Sequence, residues 1–116
     1  MTKLLIFIGE SQKFDVEKII GTISAMSNVT MARRGEFIGA VFECEYSYGG
    51  TSTIVRLSEE AETITAEGLG TCALSFAIEL QKALEVDLRA IDMEYSFDVA
   101  LRDFQTVEQL ERAVLD

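Results

Sequence analysis

Two adjacent glycines at positions 49 and 50 constrain the fold of this chain more than any other local feature. The flanking segments alternate in polarity, and paired glycines supply the positive φ angles of a two-residue hairpin turn. Such a turn fixes the register of the two strands. The cross-strand pairs on this register are Tyr48–Thr51, Tyr46–Thr53, Cys44–Val55 and Phe42–Leu57 on a mostly apolar face, and Glu43–Arg56, Glu45–Ile54 and Ser47–Ser52 on the other. The sequence therefore predicts an antiparallel hairpin with one buried face.

The other segments predict further strands and helices around this hairpin. Asp15 is the predicted N-cap of an amphipathic helix, with Phe14 before it as a hydrophobic staple. Thr106 and Gln109 have the spacing of a capping box at the start of the last helix. The remaining predicted elements are a strand at Leu4–Ile8 that is either buried on both faces or central in the sheet, a strand at Glu62–Glu67, a helix capped by Thr71 that runs to about Glu85, and strands at Leu88–Met93 and Phe97–Asp103, which could also be one bulged strand.

No proline, low-complexity run or internal repeat divides the sequence. We therefore expect residues 1–116 to form a single α+β domain. Its sheet should be largely antiparallel, with the Gly-Gly hairpin, and covered by about three helices. A chain of this length, with 48% hydrophobic residues, can bury a sufficient core without disulfides or metals.

The net charge of −10 is unevenly distributed along the chain. Residues 1–42 carry five basic and four acidic side chains, whereas residues 43–116 carry five basic and sixteen acidic ones. An acidic body repels nucleic acid and anionic membranes and attracts basic proteins, although charge can also serve solubility alone. The doublet Arg33-Arg34 is too small for a nucleic-acid footprint. We expect a basic protein partner, no direct nucleic acid and no membrane.

The absence of histidine excludes Cys-His and Ser-His mechanisms within this chain. Two cysteines are too few for a disulfide framework, and without histidine they form no metal-ligand pattern. The short apolar run near Met1 is followed by no small-residue cleavage site, and no stretch has the length of a membrane span. We expect a cytoplasmic protein that is not an enzyme and has no cofactor or metal.

One sequence motif points to a competing function. Gly68-Leu-Gly70-Thr-Cys-Ala73 matches the G-x-G-x-x-A dinucleotide fingerprint between a predicted strand and a predicted helix, and Asp92 follows at the distance of a ribose-binding acid. Too few residues remain for a doubly wound domain, and Glu67 would repel a diphosphate. A turn into a helix is the simpler interpretation. Cys72 could have a lowered thiol pKa at this helix start, but a packing role is more common.

Several carboxylates are candidates for contact with a partner. Asp92, Glu94 and Asp98 are close in sequence but match no calcium loop and no catalytic pair, so a solvated strand face is the simplest interpretation. Strand alternation places Asp92 and Glu94 on the same face. Among the glutamates between 43 and 67, Glu43 is expected to pair with Arg56. The predicted partner-binding residues are Glu45, Glu59, Glu60, Asp92, Glu94 and Asp98.

The strings E-G-L-G-T-C-A-L-S-F-A-I-E-L-Q-K, I-D-M-E-Y-S-F-D-V-A-L and T-V-E-Q-L-E-R-A-V, together with the glutamate-bearing hairpin, resemble small acidic immunity proteins. Bacteria make these proteins against toxins delivered by neighbouring cells. The resemblance covers about two thirds of the chain, and it implies a cytoplasmic inhibitor of a cognate toxin, often a nuclease with a basic active site. Two alternatives remain: a homo-oligomeric regulatory or structural subunit that associates through its sheet, and a small enzyme that binds a nucleotide cofactor at Gly68 and Gly70.

Overall fold

The structure is a computed structural model that describes residues 3–9, 12–37, 39–68, 70–93 and 96–115, without the side chains at 36, 37 and 115. The described residues form seven strands and three α-helices, which confirms the α+β class. In chain order these are β1 (Lys3–Phe7), α1 (Val16–Ser24), β2 (Val29–Phe37), β3 (Ala40–Tyr48), β4 (Thr51–Ser58), β5 (Ile64–Glu67), α2 (Thr71–Ala83), β6 (Arg89–Asp92), β7 (Asp98–Ala100) and α3 (Val107–Leu115).

The strands form one antiparallel sheet in the order β2-β3-β4-β5-β1-β6-β7. The predicted central position of β1 is confirmed, since it pairs with β5 and β6. Because both of these strands run antiparallel to β1, they are parallel to each other, and α2 connects them. Strands β1 and β4 are likewise parallel to each other, because both run antiparallel to β5, which lies between them. The middle of the sheet therefore has a split β-α-β arrangement.

The Gly49-Gly50 hairpin forms with the predicted register, and all seven predicted cross-strand pairs are present. Both glycines have the positive φ angles that the turn requires, +60° and +84°. Strand alternation then buries Phe42, Cys44 and Tyr46 of β3. The residues between them keep part of their surface in solvent.

The first and last helices begin where their capping residues predict. The carboxylate of Asp15 accepts the backbone N–H of Lys18 at 3.2 Å, as an N-cap should. The hydroxyl of Thr106 accepts the N–H of Gln109, and the Gln109 side chain accepts the N–H of Gln105. These bonds satisfy N–H groups that the helices leave free at their first turns.

The start of α2 differs from the prediction. Gly70 occupies the N-cap position, and Thr71 is the first helical residue rather than the cap. The Thr71 hydroxyl instead donates to the carboxylate of Glu111 at 3.1 Å, which links α2 to α3. The helix ends at Ala83, two residues before the predicted end.

The region from 88 to 103 forms two strands, and the second is shorter than predicted. Strand β7 ends at Ala100, and the chain continues as a single 3-10 turn over Leu101–Asp103.

At the other edge of the sheet, β2 has no counterpart among the predicted elements. Two register irregularities interrupt its pairing with β3, and Met31 has a positive φ of 55°. These irregularities remove the polar-apolar alternation that identifies a strand.

The helices lie on one face of the sheet, here called the covered face, where one core cluster joins them to alternate strand residues. The cluster includes Leu4, Ile6, Tyr46 and Leu57 from the strands and Phe76 from α2. The Tyr46 and Phe76 rings meet edge to face, with centroids 5.4 Å apart. The opposite side of the sheet is called the open face.

Candidate protein-binding surface

The open face of the sheet is formed by the strand residues that alternate with the core positions. Leu5, Phe7 and Ile54 are half-buried there, and Ile91 is 8% exposed although it does not belong to the core cluster. Leu5 lies opposite Ile91 and next to Thr65 on the neighbouring strands. This face therefore carries an apolar centre without a covering helix.

A chain of ion pairs crosses one side of the open face. Arg33 of β2 contacts Glu43 of β3 at 3.2 Å, Glu43 contacts Arg56 of β4 at 3.0 Å, and Arg56 contacts Glu67 at 3.0 Å. The predicted pairing of Glu43 with Arg56 is confirmed. Arg33 is 62% exposed, whereas Glu43 and Arg56 at the centre of the chain of pairs are 16% and 32% exposed. The pairs occupy the positive charge of this face, and the exposed Arg33–Glu43 pair contributes little to stability.

Arg34, Arg89 and Arg102 also form ion pairs with carboxylates of the chain. Arg34 contacts Glu17 at 2.6 Å, and this carboxylate raises the arginine pKa while its own pKa is lowered. Arg89 contacts Asp98 at 2.6 Å. Arg102 pairs with Asp87. Five of the six arginines are thus engaged with the chain's own acids, and the excess negative charge lies on other carboxylates.

The connection between β4 and β5 displays Glu59, Glu60 and Glu62, which are all exposed and are called the acidic turn below. The structure gives none of the three an ion pair among the residues it describes. Glu59 and Glu60 were predicted from the sequence as partner-binding residues. Glu62 joins them because the strand begins at Ile64 rather than at Glu62 as predicted.

The backbone of the acidic turn is held by several hydrogen bonds. The Ser58 hydroxyl accepts the N–H groups of Glu62 and Thr63, both at 3.1 Å. Ala61 has a left-handed φ of 59°, is 5% exposed, and its carbonyl accepts the N–H of Phe14 at 2.7 Å. A buried non-glycine residue in this conformation costs roughly 1–2 kcal/mol, so the surrounding contacts must fix the turn in place.

Other predicted partner-binding carboxylates lie far from one another. Glu45 is on the open face of β3, half-buried opposite Ile54, whereas Asp98 is on β7. Five strand spacings separate β3 from β7, or about 24 Å. Asp98 is also bound to Arg89, which reduces its availability to a partner. These residues therefore do not form one continuous panel with the acidic turn.

The prediction that Asp92 lies on a solvated strand face is wrong. Asp92 is 4% exposed, because β6 directs Ala90 and Asp92 toward the covered face, where Asp92 lies opposite Leu4. Its carboxylate accepts the N–H of Ser96 at 2.6 Å. Glu94, predicted to share its face, lies outside the described residues. Asp92 serves the connection between β6 and β7 rather than an accessible acidic surface.

The loop that matched the dinucleotide fingerprint has a different structural context from that motif. Its flanking strands β5 and β6 are not neighbours, since β1 lies between them. Glu67, directly before the loop, is bound to Arg56. Gly68 has a φ of +79°, which favours glycine in this turn, and Gly70 begins α2. These features account for both glycines as parts of a turn into a helix.

Cys72 has the packing role that the sequence favoured, and its thiol pKa is not lowered by the helix start. Cys72 is 6% exposed, and its thiol contacts the carbonyl oxygen of Tyr46 at 3.2 Å. Burial raises the pKa of Cys72, and it raises the pKa of Cys44 to about 12. Both thiols are packing groups on the covered face. In the part of the chain that is described, no group of His, Cys, Asp or Glu is arranged to hold a metal ion.

A polar pocket of about 320 Å³ opens beside α2. A buried chain of hydrogen bonds through Tyr46 ends at its wall. Tyr46 is fully buried, and its hydroxyl contacts Ser75 at 2.8 Å and donates to the carboxylate of Glu79. Burial and the adjacent Glu79 raise the pKa of Tyr46 to about 12. The four-residue spacing of Ser75 and Glu79 puts both on one side of α2, but no local sequence pattern indicates the tyrosine or the pocket.

Comparison of the chain with models of known protein families, with curated proteins and with solved structures finds no match. None of the helices in the described ranges is both long and apolar enough to cross a membrane.

Proposed function

We propose that this protein is a non-catalytic binding protein that captures a basic protein partner, as an immunity-type inhibitor of a cognate toxin does. The observation that carries the proposal is the acidic turn, whose three carboxylates have no internal ion pair among the described residues, while five arginines are paired elsewhere. Carboxylates on a fixed backbone can meet a basic surface with little loss of conformational entropy.

The contacts that hold the acidic turn support binding rather than general solubility. Solubility requires only exposed charge, which a mobile loop supplies equally well. Here Ala61 keeps a left-handed conformation and its carbonyl accepts a hydrogen bond from Phe14. A preorganised group of like charges is the arrangement expected of a surface that is complementary to a basic site.

The proposal is tested by capture and growth rescue. The protein is used to capture a partner from a lysate of its own cells at low and at high salt, and the captured protein is then expressed in a heterologous host. We expect the partner to arrest growth and co-expression of this chain to restore it. A partner without toxicity would contradict the inhibitor function, and capture that is indifferent to salt would contradict the acidic mechanism.

A matched pair of double variants separates local from general charge effects. Glu59→Gln with Glu60→Gln removes two charges from the acidic turn. Glu85→Gln with Asp103→Asn removes two charges from other exposed positions. We expect loss of capture and rescue only in the first variant.

Self-association through the open face is a second candidate function. The half-buried residues Leu5, Phe7 and Ile54 with Ile91 form an apolar surface in the middle of the sheet, and no helix covers them. A mass that rises with protein concentration in sedimentation, and falls after Leu5→Glu, would favour a homo-oligomeric subunit. A constant monomer mass would eliminate it.

A further inference from the structure

The polar pocket beside α2 has a half-buried carboxylate at its wall and is formed by four parts of the chain. Its wall includes Ser75, Ile78, Glu79 and Lys82 of α2. Asn28 precedes β2, and Tyr48 lies at the hairpin end. The start of α3 contributes the rest of the lining, Gln105, Thr106, Val107 and Glu108. The pocket is therefore set into the folded framework rather than into a single loop.

The hydrogen bonds at the pocket wall have a defined direction. An ionised carboxylate only accepts, so the single proton of the Tyr46 hydroxyl goes to Oε2 of Glu79. Ser75 then donates its own proton to the Tyr46 oxygen. The chain of bonds ends at Glu79, and it fixes the orientation of that carboxylate.

Glu79 retains capacity for a cationic ligand. Its Oε1 has no hydrogen bond, and the side chain has no ion pair, among the residues that the structure describes. Lys82 lines the same pocket but does not approach Glu79 within ion-pair distance, and Glu108 adds a second negative charge. The formal charge of the lining is negative, which favours a cation.

The size and lining of the pocket favour the end of one basic side chain. Small-ligand sites range from about 300 to 1,000 Å³, so a volume of about 320 Å³ is at the lower limit. The ring of Tyr48, 38% exposed, lies in the wall, where an aromatic face can stack on a guanidinium. A guanidinium also presents parallel N–H donors that match a fixed carboxylate better than an ammonium does.

We infer that this pocket binds the guanidinium group of an arginine side chain from the basic partner, with Glu79 as its counter-ion. The inference rests on the proposed function in assigning the arginine to a protein partner. It adds a specific anchor at the opposite end of β4 from the acidic turn, since Tyr48 of the lining is opposite Thr51 and the turn follows Ser58. Glu79 contacts the cation directly, while the turn attracts a partner that spans this strand. Arginine is one of the residue types that most often dominate the energy of an interface.

The direct test uses N-acetyl-arginine amide as the probe and N-acetyl-citrulline amide as its neutral isostere. Backbone amide shifts in nuclear magnetic resonance spectra report where each compound binds. We expect saturable shifts at Asn28, Gln105 and Thr106 with the arginine compound and none with citrulline. N-acetyl-lysine amide should bind more weakly than arginine. Equal binding of arginine and citrulline, or shifts confined to the acidic turn, would overturn the inference.

Variants of the pocket give opposite expected effects. Glu79→Gln keeps the acceptor for Tyr46 but removes the charge, and it should weaken binding of the arginine compound by about tenfold. Lys82→Met removes the competing cation and should strengthen binding by about threefold. Thermal melting confirms that each variant is folded. Unchanged affinity in Glu79→Gln, with Lys82→Met also unchanged, would contradict the assignment.

The experiment distinguishes this inference from the proposed function. Glu59→Gln with Glu60→Gln should leave binding of the arginine compound unchanged while it reduces capture of the partner. If Glu79→Gln captures the partner as well as the unmodified protein does, the anchor is overturned and the proposed function stands. If the compound binds through Glu79 but capture is insensitive to salt and to the acidic turn, the proposed function fails and cation binding by the pocket stands.

Discussion

Three ionisable side chains, Cys44, Tyr46 and Cys72, lie on the covered face, each less than a tenth exposed. Burial penalises the charged form of an acid, so all three pKa values are raised. The Glu79 carboxylate adds to the effect at Tyr46 by accepting its proton in a hydrogen bond. These groups remain neutral at physiological pH and serve packing and hydrogen bonding.

The thiols are expected to be unreactive in the native protein. A thiol reagent such as dithiobisnitrobenzoate needs an accessible thiolate, and neither cysteine supplies one at pH 8. We expect both thiols to react about a hundredfold to a thousandfold more slowly in the native protein than in guanidinium chloride. The measurement is the absorbance of released nitrothiobenzoate. Rapid release of one equivalent without denaturant would show that one thiol is exposed.

Tyr46 is expected to make stability depend on pH in the alkaline range. Its pKa is about 12 in the folded state against 10.0 for the free group. The stabilisation linked to this difference is complete below pH 10 and is lost as the pH rises toward 12. Tyr46→Phe should remove this part of the dependence, and it should cost about 1–2 kcal/mol at neutral pH, because Ser75 loses its acceptor. Urea unfolding of both proteins from pH 7 to 11 provides the comparison, and parallel curves would refute the assignment.

Among the structural elements, the hairpin could be predicted in full, because a two-residue turn leaves one register. The burial of Asp92 could not be predicted, because the two faces of β6 have similar apolar character and a shift of one residue exchanges them. We predicted a solvated strand face for Asp92, whereas the helices cover the side of β6 that carries Ala90 and Asp92. Strand β2 was not predicted, because its bulges interrupt the alternation of polar and apolar residues. The pocket needs contacts between distant segments, which no local pattern reveals.

The acidic turn is expected to depend on the Ser58 hydroxyl for its rigidity. Ser58→Ala leaves the N–H groups of Glu62 and Thr63 without this acceptor, at a cost of about 1–2 kcal/mol in the free energy of unfolding. All three carboxylates remain, so any weaker partner binding would come from lost preorganisation. Amide hydrogen exchange at Glu62 and Thr63 should become faster. Unchanged exchange would show that the hydroxyl is not needed to hold the turn.

For the whole molecule, the distribution of charge determines where a basic partner first associates. The paired arginines of β2, β4 and β6 are bound to internal carboxylates, whereas the acidic turn and the pocket keep unpaired ones among the described residues. The turn and the pocket lie at opposite ends of β4, about 26 Å apart, because Tyr48 of the pocket is opposite Thr51 and the turn follows Ser58. A basic partner that is attracted by the turn and anchored in the pocket must therefore span the length of this strand. Steering by exposed charge acts on association, and a contact within a pocket acts on dissociation.

The most direct test of the acidic surface is the rate of association with the captured partner at two salt concentrations. Surface plasmon resonance would compare the unmodified protein with Glu59→Lys plus Glu60→Lys and with the control Glu85→Lys plus Asp103→Lys. We expect the first pair to slow association by about tenfold or more at low salt, to flatten its salt dependence and to leave dissociation nearly unchanged, with a smaller effect of the control. Association that is independent of salt, and equal in the two variants, would contradict the account.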